Sequence, residues 1–250
     1  MAPPNLARTL PAALAAAMSG DAARPFITWV GAGGARTELS VRTYENNVAK
    51  AANLLQDDAG VSDGSRVVLH LPPHWQTAVW LGACAVTGTC AWIDGDDADP
   101  RVEAAVVGPD GAAAGAPRTL ATSLHPFGLP SSAPLPDGVL DAAVEVRAHG
   151  DRFTAYTPPT PETLWLEHGD WAWTHAEALD AMHDLATGLG LPPGGRILIR
   201  ATAPTTDYRC AGALLALPLA TDGSVVLLTD EAADVDTVAQ TERCDAALEL

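Results

Sequence analysis

Several residues in this sequence have types and spacings that could do chemistry. His70 and His74 flank Pro72-Pro73 in "HLPPH". A catalytic histidine needs a nucleophile and an orienting acid, and no serine or cysteine motif stands nearby to supply the first. The segment "DGDDADP" offers Asp94, Asp96, Asp97 and Asp99, without the glycine and distal glutamate of an EF-hand loop. It reads as a solvated acidic turn, and no metal site is expected. Gly31-Ala32-Gly33-Gly34 has the composition of a phosphate loop, yet two short strand-like runs flank it, and that context predicts a hairpin turn. Cys84, Cys90, Cys210 and Cys244 form no CxxC pair. Free thiols in a reducing cytoplasm fit that pattern. Of 14 basic residues, Lys50 is the single lysine, and it follows "ENNVA" within a helical pattern, which predicts a solvated helix face. No catalytic residue, cofactor-binding residue or metal ligand is assigned from these features.

The composition that surrounds them narrows the functional classes. Net charge is −17, a field that repels phosphate backbones and anionic lipid, so neither nucleic acid nor membrane is an expected partner. No apolar run approaches the ~20 residues that span a bilayer. The opening "MAPPNLARTLPAALAAAMSG" has the small residues of a signal peptide, but Pro11 and a single positive charge argue against export. Leu6, Leu10, Leu14 and Met18 instead predict an amphipathic helix. With 250 residues and 48% hydrophobic content the chain can bury a sizeable core in one or two domains.

The elements that would position any site occur twice. "GSRVVLHLPPHWQTAVWLGA" and "GGRILIRATAPTTDYRCAGA" share a Gly-x-Arg, an apolar run, a polar break and Gly-Ala, with equal spacing from Arg66 to Gly82 and from Arg196 to Gly212. Before each run lie a hairpin pattern, "PFITWVGAGGARTELS" or "ETLWLEHGDWAWT", and a helix. Ser40 is the expected N-cap of the first helix, with Tyr44, Val48, Ala51 and Leu55 as its stripe. Thr174 and Glu177 form a capping box for the second, ahead of Ala178, Met182, Leu185 and Leu189. Helices over Ala78–Val86 and Tyr208–Leu217 follow, then the strands "CAWID" and "SVVLLTD", an acidic connector, and last strands "AAVVG" and "DAALEL". Continuous apolar runs alternating with helices predict parallel sheets covered on both faces. The fold class is α/β with two pseudo-symmetric lobes: residues 1–108 form the first, 109–161 a Pro/Gly-rich linker whose "DAAVEVRAH" is an edge strand, and 162–250 the second.

Three stretches, "LSVRTYENNVAKAANLL", "GVSDGSRVVLHLPP" and "AVWLGACAVTGTCAWID", resemble the opening of the AMP-forming acyl-CoA synthetase and adenylating-enzyme superfamily. The duplication is similar to the two α/β subdomains of the large domain in those enzymes, and the chain also looks like short proteins that keep only the front portion. The resemblance implies ATP-dependent carboxylate activation, with a Ser/Thr/Gly-rich loop ending in Gly-Lys just before the helix at Thr174. That position holds "LWLEHGDWAWTH", with one glycine, no lysine and the tryptophans at 165, 171 and 173. Only Thr174-His175 matches the flank of the family loop. The Tyr-Gly-x-Thr-Glu motif is absent from the sequence, and the ribose aspartate and the small C-terminal domain are not expected within residue 250. The reading is a degenerate AMP-binding-like protein, with no independent adenylation, that binds a partner or ligand. Its partner is a second copy or another protein, and its cofactor is none unless residual ATP or AMP binding survives. The alternatives are an acyl-adenylate-forming enzyme completed by a domain in trans, and an unrelated α/β binding protein.

Overall fold

Thr9 begins the N-terminal helix α1 (Leu10–Ser19) by accepting the Ala12 N–H on its hydroxyl, and Pro11 sits in the first turn, where a missing N–H costs nothing. Leu10, Leu14 and Ala17 turn inward, while Leu6 lies outside the residues described by this computed structural model, 8–111 and 115–250. A hairpin follows, β1 (Pro25–Gly31) and β2 (Ala35–Ser40), joined through Ala32–Gly34. Gly33 and Gly34 have φ of 69° and 78°, the left-handed region that glycine tolerates. Ser40 caps α2 (Val41–Asn53), which closes in a π turn over Leu54–Asp58. Then come β3 (Arg66–His70), α3 (Trp75–Thr87), β4 (Cys90–Ile93) and β5 (Val102–Val107).

The linker contributes two short strands, β6 (Thr119–Ala121) and, at the sheet edge, β7 (Val139–Asp141), and the helical turn α4 (Ala142–Glu145). This corrects the strand expected over "DAAVEVRAH". Asp141 ends β7 and its carboxylate accepts the Ala143 N–H, so the following residues, led by two alanines, turn into helix.

The second half repeats the order: β8 (Leu164–His168), β9 (Trp171–Thr174), α5 (His175–Gly188), β10 (Arg196–Arg200), α6 (Tyr208–Ala211), α7 (Leu217–Thr221), β11 (Ser224–Leu228), α8 (Val235–Glu242) and β12 (Ala246–Glu249). The capping box is formed as expected: Glu177 N–H donates to Thr174, and Thr174 N–H to the Glu177 carboxylate. The helix expected to stop at Leu217 continues past Pro218. A π turn over Gly212–Ala216 separates α6 from α7 and accommodates the proline, which has no N–H to give.

Two sheets result, one ordered β12-β10-β11-β1-β2 and the other β7-β6-β5-β3-β4-β8-β9. The pairings within each are parallel except those of the two hairpins. Each hairpin lies in the sheet built from the other half of the chain. β1 pairs with β11, and β8 pairs with β4. A cut between residues 108 and 162 therefore divides both sheets. Side chains alternate along the strands as a pleat requires. Val67 and Leu69 of β3, and Ile197 and Ile199 of β10, enter one shared core among the helices, while Val68 and Leu198 face separate outer clusters. Among the described residues no helix is long and apolar enough to cross a membrane.

Candidate functional site

The carboxyl ends of parallel strands are where α/β folds present their ligand-binding loops. Here the ends of β3, β10 and β11 meet the hairpin β1–β2 around a cavity of about 270 Å³, lined by Trp29, Pro72, His74, Leu124, Thr202 and Thr229 among others. His74 is only 3% exposed. Its Nδ1 caps α3 by accepting the Gln76 N–H, its ring lies 4.5 Å from that of Trp29, and its Nε2 has no partner among the described residues. Burial lowers its pKa to about 3, so the imidazole is neutral at physiological pH. Trp29 donates its indole N–H to the Thr229 hydroxyl. The cavity wall is apolar except for these uncharged groups. Among the described residues no lining side chain is charged, and no nucleophile is hydrogen-bonded to His74. Such a wall can orient one polar group of an apolar ligand.

The loop after β10 lines the cavity at Ala201–Ala203, is fixed where Thr206 N–H donates to the Leu71 carbonyl, and enters α6 at Tyr208. Tyr208 stacks on Trp171, with centroids 4.6 Å apart and planes at 12°, and meets the edge of Trp173 at 5.3 Å. Trp171 is 55% exposed, whereas Trp165 is fully buried with its indole N–H on the Leu81 carbonyl. The three tryptophans belong to the β8–β9 hairpin, where the resemblance requires a phosphate loop. His168 pairs directly with Trp171, which leaves a two-residue turn of Gly169, at φ 56°, and Asp170. Phosphate cradles use several successive free N–H groups in a loop of glycine-permitted conformations. A two-residue turn between paired strands has no backbone to provide them.

Other singled-out residues take structural roles. His70 is held between Asp94 (Nδ1–Oδ1 3.2 Å) and Asp97 (Nε2–Oδ1 3.0 Å), a contact that spacing did not suggest, so both ring nitrogens are occupied. Asp96 accepts the Ala98 N–H, and Asp99 holds Arg101. Among the described residues no group of three or more His, Cys, Asp or Glu could hold a metal ion. His175, fully buried at the start of α5, accepts the Leu10 N–H, and burial lowers its pKa to about 4. The cysteines are unpaired, and burial pushes the thiols of Cys84 and Cys210 up to about 12 and that of Cys244 to about 11, far from a reactive thiolate. Lys50 lines a small surface hollow beside Gln76 and Phe127, away from the hairpin turn.

The Gly-x-Arg repeat has a role that sequence alone did not disclose. Arg66 at the start of β3 reaches across β4 to grip Glu167 of the exchanged hairpin in two bonds, of 2.7 and 2.8 Å. Arg196 at the start of β10 reaches Thr28 of the other hairpin at 2.8 Å, Glu38 at 3.5 Å and Glu242 of α8 at 2.8 Å. Each arginine pins the hairpin that the other half supplies.

This architecture is the acyl-CoA synthetase fold. It superposes on a Brucella canis acyl-CoA synthetase with a TM-score of 0.74 and 16% identity, covering 95% of this chain and 47% of that one. A Mycobacterium tuberculosis fatty acyl CoA synthetase gives the same TM-score at 11% identity, over 96% of this chain and 49% of its own. In sequence the chain is similar to a Mycobacterium tuberculosis protein named TIGR03089 family protein, 41% identical over 149 residues, which is 56% of this chain and 60% of that protein. The chain thus spans about half the length of the solved synthetases and 60% of the curated relative it matches. No protein-family model matches.

Proposed function

We propose that this chain uses an acyl-CoA synthetase-like fold to bind rather than to activate, and does not adenylate carboxylic acids by itself. The observation that carries the reading is the β8–β9 turn: two residues, Gly169 and Asp170, stand between paired strands where ATP phosphates would need a cradle. The uncharged wall of the cleft and the neutral His74 support it. Binding is assigned to two neighbouring features. The cleft takes a small apolar ligand with one hydrogen-bonding group. The Trp171–Tyr208 face takes a second copy of the chain or another protein, because an exposed tryptophan stacked on a half-buried tyrosine is the kind of aromatic anchor that association sites use. ATP and AMP are not cofactors in this reading, and the unpaired buried thiols suit a reducing cytoplasm. Exchange of pyrophosphate into ATP across a panel of carboxylic acids tests the claim. No exchange above a protein-free blank is expected.

A further inference from the structure

A second cavity, of about 430 Å³, lies between α1, α2, the end of α3 and the linker, and shares no residue with the cleft. Its volume falls in the range of small-molecule sites. One wall is the outward edge of α1, with Pro11, Ala15 and Met18; the floor includes Val48 and Val86. The opposite wall is the extended stretch from Phe153 to Pro159. That stretch is strapped to the end of α2. Asn53 donates to the carbonyls of Gly150 and Arg152, and Gln56 donates to the Thr154 carbonyl and accepts the Tyr156 N–H. Pro158 and Pro159 stiffen the wall further. The cavity is therefore built by ordered elements from three parts of the chain.

Its lining is apolar with one ionisable exception, Glu45 of α2. Among the described residues Glu45 makes no hydrogen bond or salt bridge. Burial pushes its carboxyl up, the Asp151 carboxylate adds to this, and Arg42 partly opposes them. Water gains little here, because an ordered molecule needs two to four polar partners and most of this wall offers none. A carboxylic acid would meet the Glu45 carboxylate and the field of Asp151. A cation would offset both.

We propose that this cavity binds an apolar primary amine, with its ammonium on Glu45 and its hydrocarbon body among Leu14, Met18, Val48, Val86 and Phe153. The inference is independent of the adenylation reading and of the cleft.

Titration calorimetry with octylammonium, octanol and octanoate, below their micelle concentrations, tests it on the whole protein. Octylammonium should bind saturably and about tenfold or more tighter than octanoate, the factor of a half-buried ion pair in an apolar wall. Glu45→Gln should remove that preference while leaving octanol unaffected. Ala15→Phe, a change at an exposed position on the rim, should abolish all three by filling the cavity. Octanoate binding as tightly as octylammonium would overturn the proposal. So would a preference that survives Glu45→Gln, or binding untouched by Ala15→Phe in a variant whose circular dichroism matches the wild type.

Discussion

His74 shows how one side chain can fix both a helix and a cleft. It caps α3, meets Trp29 edge to face and stays neutral because burial lowers its pKa to about 3. His175, lowered to about 4, is the second buried imidazole. The unfolded chain protonates both near pH 6.5, while the folded chain takes up those protons only at far lower pH. Between pH 6.5 and 4.5 the unfolded state binds more protons, so stability falls as pH falls, by up to about 1.4 kcal/mol per pH unit for each histidine. Urea unfolding across that window should show a shallower slope in His74→Asn, which can still cap the helix but does not titrate. An unchanged slope would contradict the burial argument. Trp171 carries the association claim. Trp171→Ala should weaken self-association in sedimentation equilibrium by about thirtyfold, the ~2 kcal/mol of an aromatic anchor. A wild-type chain that stays monomeric at high concentration would remove the second copy as the occupant of this face. Some of this was legible from residue types alone. Ser40, Thr174 and Glu177 cap helices where the sequence placed them, because capping is a local, three-residue interaction. The His70–Asp94–Asp97 contact was not legible, because parallel pairing of β3 with β4 brings together residues from two strand ends.

At the scale of elements, the order of strands and helices could be read from periodicity, and the exchange of hairpins could not. Nothing in the local pattern of "PFITWVGAGGARTELS" says that β1 will pair with β11, two hundred residues on. Sheet partners are chosen by edge geometry and by the crossovers on either side, which are long-range properties. The two arginines gave a partial signal, since their matched spacing marked them as a pair without naming the glutamates they would meet. The Arg66–Glu167 pair is mostly buried, with side-chain exposures of 10% and 21%. Removing one partner leaves a charge without its counter-ion in a partly desolvated site. Glu167→Leu should lower stability by about 2 kcal/mol, a value reduced from that of a fully buried pair because both groups keep some solvent. The double variant Arg66→Met/Glu167→Leu should recover most of the loss. Urea midpoints for the two variants check this, and a double variant no better than the single one would show that the pair does not lock the hairpin. The linker was misread because Asp141 ends a strand and starts a helix in a single residue. Strand propensity in "VEV" therefore lost to a cap.

At the scale of the molecule, two mostly parallel sheets share one helical core, and each holds a hairpin from the other half of the chain. Neither half has a complete sheet without the other, so the fold ties the two repeated patterns into one body. The same exchange places the β8–β9 turn at the carboxyl end of β4, beside the loop entering α6, where a nucleotide-activating member of such a fold would gather phosphates. Fold likeness does not carry chemistry with it. The site has to supply the donors, and the donors are what a two-residue turn lacks. Each missing charge-stabilising donor costs about 10²–10³ in rate, so in the proposed reading the loss of several together puts turnover below detection. The most direct measurement is pyrophosphate exchange into ATP, run on the purified chain with magnesium and short, medium and long carboxylic acids, beside an active acyl-CoA synthetase as positive control. The account predicts exchange indistinguishable from the protein-free blank for every acid. Exchange above the blank that depends on one acid, and that disappears when Gly169 or Asp170 is substituted, would contradict it.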